Sequence, residues 1–307
     1  MLRFHRLLTR KLSKTPIYLG DIAKNADMGD FAPGRTEENI LAKLAKEAKK
    51  ESFENKPRVY TTKEEDANGN ESIAVLHMNY SEKMNSLDVQ FLTDIETVLN
   101  QINPKNSSCL IIKSDVPHVF NLGLDLKERE HLKQRQVGPF VARIRSLINT
   151  IRNAKMPTIA AIDGYCLGTG MELALACDFR IATNHSQLQL SDIEMMLNGG
   201  VGTLPSLYQM CGEAGTKKIL FGTGNYSGDD ALELRLINEC LKPRKNEAQG
   251  SSDLIYDFTV EYARKLIDNS KMETNALHKA CVNEGLWPFD KSDEKIEKEW
   301  LRQWKEE

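Results

Sequence analysis

Short β-rich runs alternate with longer helical patterns through the middle of the chain, and this alternation constrains its fold most strongly. The runs with the apolar, β-branched character of strands are SIAVLHMNY, SCLIIKS, PTIAAIDGYC, FRIAT and QLQLS. Between them, residues 87–101 and 137–153 carry apolar side chains at helical spacing. Strand, helix and strand in this order predict an α/β fold with a parallel sheet and crossover helices. After about residue 203 the pattern is helical to the end.

The composition narrows the class of protein further. The chain has 307 residues, of which 40% are hydrophobic, so it can bury one sizeable core or two small ones. A net charge of −3 and a pI near 6.1 provide no overall basic field for nucleic acid or membrane. Six cysteines without a CxxC pair favour reduced, buried thiols over disulfides or a zinc site. No apolar run approaches membrane-spanning length.

The two ends of the chain differ from this middle part. The start, MLRFHRLLTRKLSK, is basic, has no acid before Asp21 and can place its leucines on one helical face. This pattern predicts a mitochondrial presequence, and an ordinary basic surface helix is the alternative. We therefore expect a presequence over 1–20, a charged extension over 21–57, a core over 58–250 and a helical oligomerisation region over 251–307.

The stretch GYCLGTGMELALACD, residues 164–178, combines a glycine-rich turn with the start of a helix. The dinucleotide fingerprint GxGxxG lacks its third glycine here, the Walker pattern lacks its Lys-Ser/Thr, and Glu172 would repel a pyrophosphate. The same helix N-terminus can instead bind an oxygen that becomes negative only during a reaction, with Glu172 moving protons beside it. The alternative is a glycine turn that only lets helix and strand pack closely.

Two further stretches extend this pattern. HVFNLGLDLKERE, residues 118–130, is a second glycine turn that follows a strand and precedes a charged helix. Two such turns can clamp one oxygen from both sides through their backbone N–H groups. LQLSDIEMMLNGGVGT, residues 188–203, adds the acids Asp192 and Glu194 just before a glycine cluster.

Together these stretches resemble the crotonase, or enoyl-CoA hydratase/isomerase, superfamily, most of all its mitochondrial methylglutaconyl-CoA hydratase branch, which also binds AU-rich RNA. The resemblance covers roughly residues 73–285. Its blocks are NYSEKMNSLD at 79–88, SDVPHVFNLGLDLKERE at 114–130, VGPFVARIRSLINTI at 137–151 and PTIAAIDGYCLGTGMELALACDFRIA at 157–182. It implies a crotonase (ClpP-like) spiral of ββα units, a helical C-terminal trimerisation region, and homotrimers that can pair into hexamers.

The resemblance also implies site residues. The backbone N–H groups of Leu124 and Thr169 form the oxyanion hole, Glu172 is the first catalytic acid, and Asp192 occupies the place of the second. Glu194 is an auxiliary acid. The loops that contact CoA contain Leu122, Gly123, Asp125 and Gly168. In a hydratase of this family the two acids add water across the double bond of the acyl-CoA substrate, without a metal and without any cofactor apart from the CoA of the substrate.

Several positions depart from the family pattern. Asp192 is one methylene shorter than glutamate. Thr169 stands where a middle glycine is usual, so a glycine-like φ there would strain the backbone. Leu122 and Leu124 are bulkier than the small residues expected beside CoA, and Arg235 replaces a glycine that usually ends a helix.

Three functions are compatible with this sequence. Glu172 and the two turns favour an active hydratase in the mitochondrial matrix for a short or branched acyl-CoA. The departures favour an inactive structural subunit of a larger mitochondrial assembly. They include a loop, LNGGVGTLP, that lacks the family's proline before its glycines, and an end, EKIEKEWLRQWKEE, without the family's EG..AF.EKR helix. An enoyl-CoA isomerase would use Glu172 alone.

RNA binding is not expected. In the RNA-binding branch a lysine-rich helix follows the NSL motif. The corresponding stretch here, SLDVQFLTDIETVLNQINPK, contains Asp88, Asp94 and Glu96 and no base before Lys105. Because phosphate contacts require Lys or Arg, we do not transfer this activity to the chain.

Overall fold

The computed structural model describes residues 56–125, 128, 131–190, 203–222, 225–242, 251–268 and 272–283. All of them belong to one contact unit, Ser52–Glu307. The predicted presequence, nearly all of the predicted extension, the acids Asp192 and Glu194, and the end of the chain lie outside the described residues.

Strands and helices alternate along the chain. The first half contains β1 (Val59–Glu65), β2 (Glu71–Met78), α1 (Val89–Gln101), β3 (Cys109–Ser114), β4 (Val119–Asn121), α2 (Gln134–Arg152), β5 (Thr158–Ile162) and β6 (Tyr165–Leu167). The second half contains α3 (Thr169–Ala176), β7 (Phe179–Thr183), β8 (Gln187–Gln189), α4 (Thr203–Phe221), β9 (Tyr226–Ser227), α5 (Gly228–Glu233), β10 (Glu239–Leu241), α6 (Ser251–Asp268) and α7 (Met272–Asn283). The helices predicted over 87–101 and 137–153 are confirmed as α1 and α2.

The strands form two sheets. The larger sheet has the order β1-β2-β3-β5-β7-β10, in which β1 is antiparallel to β2 and all other neighbours are parallel. The smaller sheet has the order β4-β6-β8-β9, and its first three strands are parallel. The prediction of a parallel sheet with crossover helices is therefore confirmed. The two edge strands β1 and β10, and the short β9, escaped the sequence analysis.

Both faces of the larger sheet are buried, because successive side chains of a strand point to opposite faces. One face packs against Ile255, Val260 and Ala263 of α6 through Ile73, Val75, Ile111, Ile159 and Ile181. The opposite face packs against α1, α2, α3 and the smaller sheet through Ala74, Leu76, Leu110, Ile112, Ala160 and Ile162. This two-sided burial explains why these strands read as continuous apolar runs.

The run PTIAAIDGYC is two strands rather than the single strand that the sequence predicted. The chain leaves the larger sheet after β5, passes through Asp163 and Gly164, and enters the smaller sheet as β6. Gly164 has a φ of +88°, and a Cβ there would lie 1.9 Å from the carbonyl oxygen of His118. Only glycine permits this backbone approach, which moves the chain from one sheet to the other.

The end of α5 confirms one departure from the family pattern. Arg235, just after this helix, has a φ of 61°, the left-handed conformation that glycine usually provides at a helix C-terminus. Its N–H donates to the carbonyl of Leu232 at 3.0 Å. Arg235 therefore adopts a backbone conformation that is more favourable for glycine.

The longest helices, α2 and α4, have 19 residues each. The backbone of α4 is not helical at Gly212, where φ is 67°. Within the described ranges, none of the helices combines the length and apolar character that a bilayer crossing requires.

Candidate active site

The first of the two predicted turns lies between β6 and α3. Gly168 has a φ of 52° and a ψ of −123°, and its N–H donates to the carbonyl of Gln189 at the end of β8 at 2.8 Å. The helix begins at Thr169. Thr169 is not among the described residues with positive φ, so the strain expected there is wrong: Gly168 takes the unusual conformation instead.

The second predicted turn follows β4. Gly123 has a φ of +88°, and its N–H donates to Oδ1 of Asn121 at 2.7 Å. Leu124 forms a parallel bridge with Leu87, which donates to the carbonyl of Gly123 at 2.7 Å and accepts from the N–H of Asp125 at 3.0 Å. Because both bonds of this bridge are made by the residues flanking Leu124, its own N–H points away from Leu87.

The two turns are in direct contact. A Cβ added to Gly123 would lie 2.9 Å from the carbonyl oxygen of Leu167, 3.3 Å from the backbone nitrogen of Thr169 and 3.6 Å from Cα of Gly168. A Cβ added to Gly170 would lie 2.4 Å from the carbonyl oxygen of Asn121. Glycines at both positions therefore bring two stretches of bare backbone together, which the resemblance requires of an oxyanion hole.

Glu172 lies at the start of α3, inside the protein. All eight residues of α3 are buried, and Glu172 is 6% exposed. It is three residues after Thr169, on the same side of the helix, and helical side chains lean toward the N-terminus. Glu172 therefore lies on the same side of α3 as Thr169, within the first turn of the helix.

An ion cluster supports the Gly123 turn from outside. Lys83 Nζ lies 2.7 Å from Asp88 Oδ2 and 3.0 Å from Asp125 Oδ2. Asp125 Oδ1 also accepts the N–H of Glu128 at 2.9 Å. Burial alone would raise the pKa of Asp88, but its bonds from Lys83 and from the N–H of Phe91 lower the pKa below its usual value. The bond to Asp88 raises the pKa of Lys83.

Two buried asparagines, which the sequence analysis did not single out, connect these parts. Asn121 Nδ2 donates to the carbonyl of Asn85 at 2.5 Å, and its Oδ1 accepts from the N–H of Gly123. Asn85 donates to Ser114 Oγ at 2.8 Å and to the carbonyl of Phe120 at 3.1 Å. Asn85 is fully buried and has a φ of 55°, a left-handed conformation that asparagine adopts more readily than most residues. We interpret both asparagines as positioning residues for the Gly123 turn.

The remaining predicted residues are distributed as follows. Leu122 and Leu124 are half-buried, Gly123 and Gly168 are buried, and the side chain of Asp125 is 9% exposed. Asp192 and Glu194 lie outside the described residues, three and five positions after the end of β8. The structure thus brings Leu124, Thr169 and Glu172 to adjoining turns.

The cysteines near this site are packing residues. Cys166 and Cys177 are fully buried on either side of α3, and burial raises the pKa of Cys177 to about 12. A thiol with such a pKa is protonated at neutral pH and is a poor nucleophile. Both residues therefore fit the small core positions that we expected.

Known proteins resemble this chain both in sequence and in fold. The sequence profile of the enoyl-CoA hydratase/isomerase family matches residues 68–299. The chain belongs to that family. Mitochondrial methylglutaconyl-CoA hydratase of Rattus norvegicus is 34% identical over 218 residues, 71% of this chain and 67% of that protein. Mitochondrial enoyl-CoA hydratase domain-containing protein 2 of Homo sapiens is 33% identical over 220 residues, 71% of this chain and 73% of that protein.

Solved structures confirm the crotonase fold. A crystal structure of an enoyl-CoA hydratase from Bacillus anthracis matches with a TM-score of 0.69 and 26% identity, over 80% of this chain and 90% of that one. The enoyl-CoA hydratase/isomerase family and its fold, both expected from the quoted blocks, are therefore established for this chain.

Proposed function

We propose that this protein binds acyl-CoA thioesters and stabilises the enolate that forms while an enoyl-CoA is hydrated. The observation that carries the proposal is the contact between the two turns, in which Gly123 lies against Gly168 and Thr169. Backbone N–H groups from two sides of such a contact are suited to bind one developing oxyanion. Glu172, buried in the first turn of α3, would supply the acid–base group beside it.

In the proposed reaction, the thioester oxygen accepts hydrogen bonds from the N–H groups of Leu124 and Thr169. The oxygen of a water molecule bonds to the β-carbon, and the electrons of the double bond move toward the thioester, so that negative charge collects on the bound oxygen. Glu172 and Asp192 hold the water, accept its proton and deliver a proton to the α-carbon. Each oxyanion donor contributes about 2.7–4 kcal/mol in the transition state. No group beyond the CoA of the substrate is required.

We place CoA beside the two glycine turns, in contact with Leu122, Gly123, Asp125 and Gly168, with Glu194 as an auxiliary acid. The name of the methylglutaconyl-CoA hydratase relative supports a short or branched acyl chain. The names of the two curated relatives favour an acyl-CoA in mitochondria, and the basic start of the chain supports that location. We further propose a homotrimer or hexamer in the matrix, without an RNA partner.

The decisive experiment is a calorimetric titration of the protein with CoA and with crotonyl-CoA, followed by assays of hydration and of double-bond isomerisation on the same sample. We expect binding and hydration. Glu172→Gln should lower turnover by about 10²–10⁴-fold, the usual contribution of a general acid–base group, while binding of CoA persists. Glu96→Gln is the matched control, because this acid pairs with Arg143 on α1 and α2, away from the turns.

The other outcomes identify the competing functions. Isomerisation without hydration, lost in Glu172→Gln, would show an isomerase that uses one acid. Absence of binding at saturating protein would contradict the enzyme and favour the structural subunit, which should then migrate with a larger mitochondrial assembly. Hydration that is unchanged in Glu172→Gln would remove this residue from the mechanism.

A further inference from the structure

A second cluster of functional groups lies at the opposite edge of the smaller sheet. His118, Asp163 and His185 each offer one nitrogen or oxygen atom, and these atoms all lie within 4.8 Å of one another. His118 directly precedes β4, and Asp163 and His185 stand two positions before β6 and β8. Because these three neighbouring strands are parallel, the residues before them meet at one edge.

The carboxylate of this cluster is held in a fixed orientation. Asp163 Oδ1 lies 2.8 Å from His185 Nε2 and accepts from Thr183 Oγ1 at 3.0 Å. Thr183 Oγ1 is in turn 2.8 Å from Ser186 Oγ, which donates to the carbonyl of Ile162. The bonds made by Thr183 and Ser186 come from outside the cluster, and outer hydrogen bonds of this kind orient the ligands in known metal sites.

His118 adds an independent indication of a ligand. Its Nδ1 is buried and has no hydrogen-bond partner among the described residues. Its φ of 59° is unusual for a residue with a side chain. Its backbone carbonyl packs directly against Gly164, where a Cβ would lie 1.9 Å from the carbonyl oxygen. A buried ring nitrogen without a partner is unfavourable, and strained residues with such groups gather at functional sites.

We propose that His118, Asp163 and His185 bind one divalent metal ion of the Zn²⁺ class, with water at the remaining position. Two imidazole nitrogens and one carboxylate oxygen suit zinc better than magnesium or calcium, which prefer oxygen alone. Ligand distances of about 2.0–2.1 Å place neighbouring tetrahedral ligands roughly 3.3 Å apart. The widest pair would then have to close by at most roughly 1.5 Å, a shift that rotation of a histidine side chain about χ1 or χ2 could supply.

The metal would have a structural role and would not contact the reacting atoms. It would join the starts of β4 and β6, whose far ends carry the Gly123 and Gly168 turns. A strand of three residues spans roughly 10 Å, so the ion lies beyond contact with those turns. The proposal therefore does not depend on the proposed reaction.

Zinc binding to the chelator-treated full chain, measured by calorimetry, tests this site directly. We expect one Zn²⁺ per chain, and an affinity at least about 100-fold lower in His185→Gln and Asp163→Asn, since even residues that only support a ligand contribute about 10–100-fold. His118→Asn should behave in the same way, because asparagine tolerates a positive φ. His278→Gln, an exposed histidine on α7, is the control and should leave the affinity unchanged.

Cobalt(II) substitution separates this site from binding by the cysteines. We expect the d–d absorption of a site with nitrogen and oxygen ligands, without a thiolate-to-cobalt charge-transfer band. Absence of zinc binding, an unchanged affinity in His185→Gln, or a thiolate band would each overturn the proposal. If His118→Asn does not fold, as judged by circular dichroism, Asp163→Asn decides the question, because its amide oxygen can still accept from Thr183 and His185.

Discussion

The two turns of the candidate active site have different structural supports. The Gly123 turn is supported by side chains from a separate segment: Asn121 connects it to Asn85, and Lys83 binds Asp125. The backbone of the Gly168 turn bonds to the Gln189 carbonyl, and the turn leads into the wholly buried helix α3.

The two turns should therefore be sensitive to different kinds of substitution. Polar contacts respond to the removal of a hydrogen-bonding group and to pH, whereas close backbone packing responds to added volume. The Gly123 turn should therefore be sensitive to both kinds of change, since it also touches the Gly168 turn. Added volume at the contact should also displace the Gly168 turn, because the two turns touch there.

The largest expected effect comes from forcing the turns apart. Gly123→Ala places a Cβ 2.9 Å from the Leu167 carbonyl oxygen at a φ of +88°. We expect crotonyl-CoA turnover to fall by about 10²–10³-fold, the usual loss of one oxyanion donor. Gly69→Ala is the matched control: Gly69 has a φ of +79° but nothing within 4 Å of its added Cβ, so it tests backbone strain alone.

Steady-state kinetics and urea unfolding of both variants distinguish the causes. If the contact matters, both variants lose stability through strain, but only Gly123→Ala loses turnover. Equal turnover in Gly123→Ala and the wild type would mean that the two turns do not act together.

The sequence predicts most of the fold because its buried strands and amphipathic helices carry periodic patterns. FRIAT, for example, is β7 residue for residue. The break between β5 and β6 was missed because it depends on the approach of Gly164 to His118, which no local pattern records. The strain expected at Thr169 was misplaced by one residue for a similar reason: the backbone turn is completed at Gly168, before the helix begins.

The candidate site was less predictable than the fold. Leu124, Thr169 and Glu172 were identified through resemblance, and from the glycine turn around Gly168 alone a packing turn was the favoured explanation. Asn121 and Asn85 were missed because polar contacts between residues 36 positions apart leave no periodic signal. The cluster of His118, Asp163 and His185 was missed because its members precede three separate strands and share no motif spacing.

A smaller effect is expected from removing the polar link to the Gly123 turn. Asn121→Ala leaves the Gly123 N–H and the Asn85 carbonyl without their present partner. Each buried group left unsatisfied costs about 1–3 kcal/mol, and a displacement of about 1 Å can lower turnover up to a hundredfold. We expect kcat to fall more than KM rises, because the residue positions an oxyanion donor.

Asn79→Ala is the control for the loss of a buried asparagine. Asn79 is 7% exposed. Among the described residues, its Nδ2 donates one long hydrogen bond, to the carbonyl of Pro57 at 3.5 Å. We expect kcat to be preserved in this variant. A similar loss of kcat in both variants would assign the effect of Asn121 to general destabilisation.

The smallest effect concerns the charge cluster around Lys83 and should appear as a pH dependence. The folded protein lowers the pKa of Asp88, so this group stabilises the fold above its unfolded value of about 3.9. That contribution is lost as the pH falls through the lowered pKa. Asp88→Asn keeps a good helix N-cap for Phe91 but removes the charge that faces Lys83.

Urea unfolding of the wild type and Asp88→Asn, from pH 7 down through the acid range, measures this contribution. We expect Asp88→Asn to be less stable by about 1 kcal/mol at pH 7, with the difference beginning to shrink near pH 3.9 and disappearing once the pH is below the lowered pKa of folded Asp88. Glu96→Gln is the control for a more exposed ion pair and should show a smaller difference at pH 7. Equal stability of Asp88→Asn and the wild type across this pH range would show that Asp88 acts through its cap alone, and that charge does not support the Gly123 turn.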